Sequence, residues 1–226
     1  MMHPLDRPIW SALTTVHAAY GEGDVRARRF VSSVSPFTAT VDDTPESMVS
    51  LARLAKGGDM MVFLQAAPVC LPDELGPARL ADAVQMISVH PAESPADARI
   101  VRLGQADVGA MLDLARLTNP GPLTARALEL GRFWGIRSGE RLVAMAGERL
   151  RQPGYTEVSG VCAHPDFRGQ GLARLLSLHV ASQIRERSET PYLHAYAVNL
   201  AAIRLYESIS FEIRSTIHVA MVDPIS

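Results

Sequence analysis

Apolar positions along the chain switch between a helical spacing and short unbroken runs, and the order of these patterns predicts an α/β protein. Ile9, Leu13, Val16 and Tyr20 follow Pro8 at helical spacing. Proline is tolerated at a first helical position because the amide there has no partner in any case. A second helix is expected to open at Thr44 and Pro45, present Met48, Leu51, Ala52 and Ala55 on one face, and stop at Gly57 and Gly58. Residues 60–64 suit a buried strand, and residues 84–89 form a weaker strand candidate. No chemical motif stands out in this half.

From residue 99 the alternation is clearer. A strand is expected over 99–103, a helix over 105–117 with Val108, Met111, Leu112 and Ala115 on one face, and a short helix over 124–130. Residues 132–138 and 141–150 flank Gly139 and Glu140 as a hairpin, and 155–163 adds a third strand. A long helix over 169–187 carries Leu172, Leu175, Leu176, Val180 and Ile184 on one side. A strand over 192–198, a helix over 200–208 and one or two strands over 211–222 close the chain. A strand–helix–strand unit near the end requires a parallel pair inside a mixed sheet. Residues 90–98, with Pro91 and Pro95 among small and charged residues, read as a linker. They divide the chain into regions 1–96 and 97–226.

Composition narrows the partners. Lys and Arg number 22 against 24 Asp and Glu, a net charge of −2 with no long basic run, which gives no electrostatic reason to expect nucleic acid. Pro4, Asp6, Arg7 and Pro8 exclude the apolar core of a signal peptide, and no window approaches a membrane-spanning length. Cys70 and Cys162 lie far apart, as expected of reduced thiols. A soluble, cytoplasmic protein is therefore expected, with no membrane partner.

Two stretches carry chemistry. Residues 161–173 read VCAHPDFRGQGLA: a strand ends at Ala163, a turn carries Pro165, and Arg168, Gly169, Gln170 and Gly171 open a helix. Glycines allow close backbone approach, and the first helical turn leaves amides free, so the pattern suits a phosphate or pyrophosphate. The same two glycines also suit a mere tight strand-to-helix turn. A dinucleotide fingerprint would need glycine at 174, where Arg174 stands. Residues 199–211 read NLAAIRLYESISF: Asn199 is a good helix N-cap, and Tyr206 lies two turns later on the same face.

Together these stretches resemble the GNAT acetyltransferases. The family's phosphate loop, Arg/Gln-x-x-Gly-x-Gly/Ala, is matched by Arg168, Gly171 and Ala173, and its later Asn-x-x-Ala-x-x-x-Tyr pattern with a closing Phe by Asn199, Ala202, Tyr206 and Phe211. Ser210 departs from the glycine usual before that Phe, a matter of a helix end more than of chemistry. The resemblance covers roughly residues 97–226 and implies an N-acetyltransferase fold, with acetyl-CoA as cosubstrate and a small-molecule amine as acceptor. It implies that amides from Arg168 through Gly169, Gln170, Gly171 and Leu172 to Ala173 hold the CoA pyrophosphate. The strand end Val161, Cys162 and Ala163 would pair with the pantetheine arm, in a wedge opened by a bulge and by splaying from the next strand. Asn199 would touch that arm, and Ala202 would leave room for it.

The implied chemistry is direct attack of the amine on the thioester, with Tyr206 as general acid toward the departing thiolate. Glu157, on the same strand face as Val161 and Ala163, is a candidate base, or else a solvated strand carboxylate. Cys162 reads as a small buried apolar residue, and Trp10 and Trp134 as packing residues, although Phe133 and Trp134 lie on a strand that could flank the acceptor groove. The seven histidines show no ligand spacing, so no metal is expected. Two rivals remain: a related domain that senses acyl-CoA without catalysis, and a nucleotide-binding protein using the glycine loop. Region 1–96 is open to three readings: a degenerate second copy of the fold, a substrate lid or a dimer surface. The protein would be a monomer or a homodimer.

Overall fold

The computed structural model describes residues 3–55, 58–90 and 96–223. Most of the expected linker over 90–98, and the expected helix stop at Gly57, fall outside the described residues. The elements run α1 (Pro8–Leu13), β1 (Gly21–Gly23), β2 (Ala27–Phe30), β3 (Thr38–Thr40), α2 (Pro45–Leu54), β4 (Met61–Gln65), β5 (Ala78–Ser88), β6 (Val101–Leu103), α3 (Val108–Thr118), β7 (Phe133–Ser138), β8 (Arg141–Gln152), β9 (Tyr155–Ala163), α4 (Leu172–Arg185), β10 (Thr190–Tyr196), α5 (Leu200–Glu207) and β11 (Phe211–Val222). β1 to β3 form a small antiparallel sheet, and the other strands form one mixed sheet in the order β4-β11-β5-β10-β9-β8-β7-β6.

Strands from both sides of residue 96 thus share one sheet. β5, from the first half, lies between β10 and β11, pairing antiparallel with Tyr192–Tyr196 on one edge and with nearly all of β11 on the other. It is longer than its apolar pattern suggests, because its first residues, with exposed Leu80 among them, are held by the β11 ladder rather than by burial.

Several boundaries differ from the sequence pattern for local reasons. α1 stops at Leu13, where the hydroxyls of Thr14 and Thr15 donate to the carbonyls of Trp10 and Ser11 and compete with helix continuation. Val16 is consequently exposed. α2 buries Ser47 and Ser50 beside Leu51, since these hydroxyls donate to Asp42 and Asp24. The helix expected over 124–130 is only a 3-10 turn at Ala127–Glu129. Thr124 Oγ1 instead donates 2.8 Å to the Val34 carbonyl and ties this segment to the first half. Ser210 adopts φ 67, the left-handed conformation that explains why glycine suits the position.

The core has two principal layers. α4 and α5 cover one face with Leu172, Leu176, Val180 and Ile184 against Val143, Val158 and Leu193. On another, Leu5 and the α1 residues Ile9 and Leu13 pack with Phe30 and Phe37 against Val62, Leu64 and Val219. Leu176, Val180, Ile184, Leu5, Ile9 and Leu13 are all fully buried, and at about 25 cal/mol per Å2 of apolar surface each contributes on the order of 2 kcal/mol.

Candidate active site

β9 and β10 are parallel neighbours, yet their pairing is confined to Thr190–Tyr155, Pro191–Thr156 and Tyr192–Glu157. Beyond Glu157 each strand keeps its outer partner, β8 or β5, and the inner edges diverge. β9 also carries an extra residue: Met145 pairs with Cys162 and Gly147 with Ser159, so Gly160 and Val161 together oppose Ala146. Gly160 takes φ +64 there, and a Cβ on it would stand 2.9 Å from the Phe133 ring. The bulge turns the strand and leaves its inner backbone edge unpaired beside a cleft.

That cleft is open to solvent and has a cavity volume of about 170 Å3. Its walls include Glu157 to Val161 from β9, His194 to Tyr196 from β10, and Asn199, Ala202 and Tyr206. Asn199 caps α5 as the sequence suggests, its Oδ1 accepting 3.1 Å from the Ala202 amide. Tyr206 is 8% exposed, and its hydroxyl finds no hydrogen-bond partner among the described residues. Burial, with the Cys162 thiol adding a smaller effect, raises its pKa well above the usual phenol range, so the proton stays on at neutral pH.

The loop after β9 ends in a 3-10 turn capped by His164, whose Nδ1 accepts from the Asp166 amide. Gly169 and Gly171 then take φ +77 and +72, with open space where a Cβ would be. Arg168, Gly169, Gln170 and Gly171 are exposed. Among the described residues, the amides from Gly169 through Leu172 and Ala173 to Arg174 have no acceptor, the first intrahelical bond running from Leu175 to Gly171. Bare amides at a 14-residue helix start, reached by a loop without side-chain obstruction, suit a diphosphate.

Cys162 points away from the cleft, into the cluster of Met111, Leu114, Phe133 and Met145. Burial pushes its thiol up to about 11, which removes it as a nucleophile. Phe133 packs beneath the glycines of β8 and β9, and Trp134 meets His179 edge-on, with ring centroids 5.3 Å apart, on the helix-covered face. Among the described residues no group of three or more His, Cys, Asp or Glu could hold a metal, and no helix is long and apolar enough to cross a membrane.

Glu157 has a different environment from the one expected of a free base. A second bulge places Arg149 and Leu150 of β8 opposite it. Arg149 donates from Nε at 2.8 Å and Nη2 at 2.7 Å, His194 from Nδ1 at 2.7 Å, and the Leu150 amide at 3.3 Å. Desolvation opposes ionisation, but the Arg149 charge and these donors prevail and hold the carboxyl well below the usual carboxylate range. A carboxylate so stabilised is a poor proton acceptor. The ladder continues across the sheet. Gln85 Nε2 lies 2.9 Å from His194 Nε2, and Arg214 Nη1 donates 2.8 Å to Gln85 Oε1 and Nη2 to Asp6. His194 and Gln85 carry no motif, and only the strand order β9-β10-β5-β11 brings them to Glu157.

The first half supplies the remaining wall. Phe37, Val62, Leu64 and Ala83 line the cleft, and the Arg149 guanidinium carbon sits 4.5 Å from the Phe37 ring centre. No local pattern marks these residues, since their position depends on β4 and β5 joining the common sheet.

Residues 133–219 match the family model described as FR47-like protein. No curated protein matches the chain. A solved structure from Novosphingobium aromaticivorans, described as a GNAT-family acetyltransferase, is 38% identical over the whole of both chains, with a TM-score of 0.91. A GCN5-related N-acetyltransferase from Kribbella flavida has a TM-score of 0.68 at 18% identity, over 100% of this chain and 98% of that one. A GCN5-related N-acetyltransferase-like protein from Streptococcus suis reaches 0.61 at 14%, over 96% and 95%. The last two share the fold, while the first is close enough over the full chain to fix the family. The matched structures give no support to a sensor without catalysis. With its splayed strand pair, bare helix start and inward-facing phenol, the chain belongs to the GNAT acetyltransferases, and it is an acyltransferase.

Proposed function

We propose that this protein transfers the acetyl group of acetyl-CoA directly to the primary amine of a small metabolite or amino acid. The observation that carries the reading is Tyr206: a buried, protonated hydroxyl without a protein partner, opening on the same cleft as the unpaired edge of β9. The donor set fits the cosubstrate. The amides from Gly169 to Ala173, with the Arg168 side chain beside them, would hold its pyrophosphate, whereas the Arg168 amide itself donates to the Pro165 carbonyl. The backbone of Val161, Cys162 and Ala163 would hold its pantetheine arm, and Asn199 and Ala202 would flank that arm. When bound, acetyl-CoA supplies an activated thioester carbonyl.

The chain's own part is to orient, to exclude water and to hold a proton. The bulge at Gly160 and Val161 frees amides that can polarise a carbonyl. Tyr206 holds its proton at Oη for the departing thiolate, and the proton shed by the attacking nitrogen passes through cleft water to restore the phenol. Glu157 acts in this scheme by fixing Arg149 and His194 rather than by taking the amine's proton. Region 97–226 would carry the transfer machinery, and region 1–96 the acceptor wall.

The test follows free thiol release from acetyl-CoA with a panel of amines, alongside calorimetric titration with CoA, NAD and ATP. Tight binding of CoA alone, with thiol release on adding one or more amines, is expected. CoA binding without release for any amine would overturn the transferase reading.

A further inference from the structure

The bulge that turns Arg149 inward leaves part of its guanidinium without a protein partner. Nε and Nη2 serve Glu157, whereas no acceptor for Nη1 is found among the described residues. Nη1 faces the cleft beside the Asn119 to Pro122 loop, 3.9 Å from where a Cβ on Gly121 would stand. Glu157 is already shared by Arg149, His194 and the Leu150 amide, and its side chain is 1% exposed. Among the described residues, Arg149 and Glu157 are the only Asp, Glu, Lys or Arg side chains lining the cleft. The charge left to meet a ligand is therefore the outer edge of the guanidinium, formed by Nη1 and the second N–H of Nη2. Such an edge matches a carboxylate through two parallel hydrogen bonds. The wall beside it is apolar: Phe37, Val62, Leu64 and Val219.

We infer that the acceptor is an amino acid with a free α-carboxylate and an apolar side chain, its carboxylate received by Arg149 and its side chain by this wall. The inference rests on the transferase reading above and specifies its substrate. The α-amine is one carbon from the carboxylate, so seating one fixes the other in the cleft that Tyr206 faces. Glu157 is then a positioning residue, which aims the guanidinium and leaves its far edge to the ligand.

Leucine, leucinamide and 3-methylbutylamine separate the contributions, compared at equal concentrations of unprotonated amine. Leucine should exceed 3-methylbutylamine in kcat/KM by about 30-fold or more, the loss that follows when a charged donor is left unpaired. Arg149→Lys keeps a cation beside Glu157 but loses the planar edge. It should erase most of that preference, chiefly through KM, without changing CoA affinity. Phe37→Ala leaves the ion pair intact and should shift preference toward larger side chains such as that of phenylalanine. Calorimetry with N-acetylleucine gives a readout independent of turnover: it should bind the CoA-loaded protein, and bind Arg149→Lys more weakly. Equal acetylation of leucine and 3-methylbutylamine, or no binding of N-acetylleucine to the CoA-loaded protein, would overturn the inference while leaving the transferase intact. Failure to bind CoA at all would remove the transferase reading and this inference together.

Discussion

His194 donates from Nδ1 to Glu157 Oε1 at 2.7 Å, and the other side of the same carboxylate is gripped by Arg149. A carboxylate requires its partner to bring the proton, so the hydrogen resides on Nδ1 and Nε2 is left to accept from Gln85. Each member of the ladder fixes the tautomer or amide orientation of the next. Glu157 is the last β9 residue paired with β10, and His194 lies two residues past its partner Tyr192, where the strands part.

Glu157→Gln should therefore be mainly a stability variant. It leaves Arg149 buried with half its partners lost, and breaking such a pair typically costs about 3–5 kcal/mol. Urea unfolding at pH 7 measures this, and the paired change Arg149→Met with Glu157→Gln should recover part of the loss. The carboxyl is held below its ordinary value in the folded state. Its stabilisation is therefore complete above about pH 4.5 and is lost as pH falls below that. If Glu157 were the base, Glu157→Gln would flatten the acid limb of the rate profile without lowering stability.

Tyr206→Phe should do the reverse. The hydroxyl has no protein partner to lose, so stability should change by less than about 1 kcal/mol. Without the proton donor, kcat should fall by roughly 10^2 to 10^4. CoA affinity by calorimetry should be unaltered. Unimpaired turnover would remove the phenol from the mechanism.

His17 ties the first half to the site from below. Its Nε2 lies 3.0 Å from the Arg149 carbonyl and 3.1 Å from the Arg151 amide, across the β8 bulge that takes Arg149 out of register and ends where Arg151 pairs with Thr156. Burial pushes its imidazole down to about 4. The unfolded chain gains a proton below about pH 6.5 that the folded one refuses, so stability should fall as pH drops from 6.5 to 4. The slope approaches about 1.4 kcal/mol per pH unit. Denaturant midpoints across that range, compared with those of His17→Gln, should show the slope in the parent and a flatter line in the variant.

Ser210→Gly should stabilise the protein. Serine at φ 67 bears a strain that glycine does not, offset in part by glycine's greater freedom in the unfolded chain. The net gain should be about 0.5–1 kcal/mol, read as a higher melting temperature with unchanged CoA binding. A lower melting temperature would show that the serine side chain contributes more than its backbone costs.

The parts of this molecule legible in its sequence are those whose information is local. Residues 155–163 are a strand because alternation and the flanking turns say so. Asn199 caps its helix through a contact three residues away, and Gly169 and Gly171 announce a left-handed turn by lacking side chains. The far wall of the cleft was not legible, because Phe37, Arg149 and His194 meet only through the order of strands in the sheet. Glu157 stood on the expected face of its strand. Its burial beneath Arg149 followed from a bulge in the neighbouring strand, which no alternation pattern records. Ser47 and Ser50 were missed as core because their hydroxyls are satisfied by Asp42 and Asp24, each more than four positions distant.

The placement of β5 also governs the order in which the molecule can assemble. Both of its neighbours, β10 and β11, are synthesised about a hundred residues after it, so during translation this strand leaves the ribosome with two bare edges. Contacts so distant in sequence form slowly, and an unsatisfied strand edge invites pairing with another chain. The nascent protein is therefore most vulnerable to aggregation in the interval before β11 emerges. A helper that shields residues 78–88 over that interval should raise the yield of folded protein more than one acting after release.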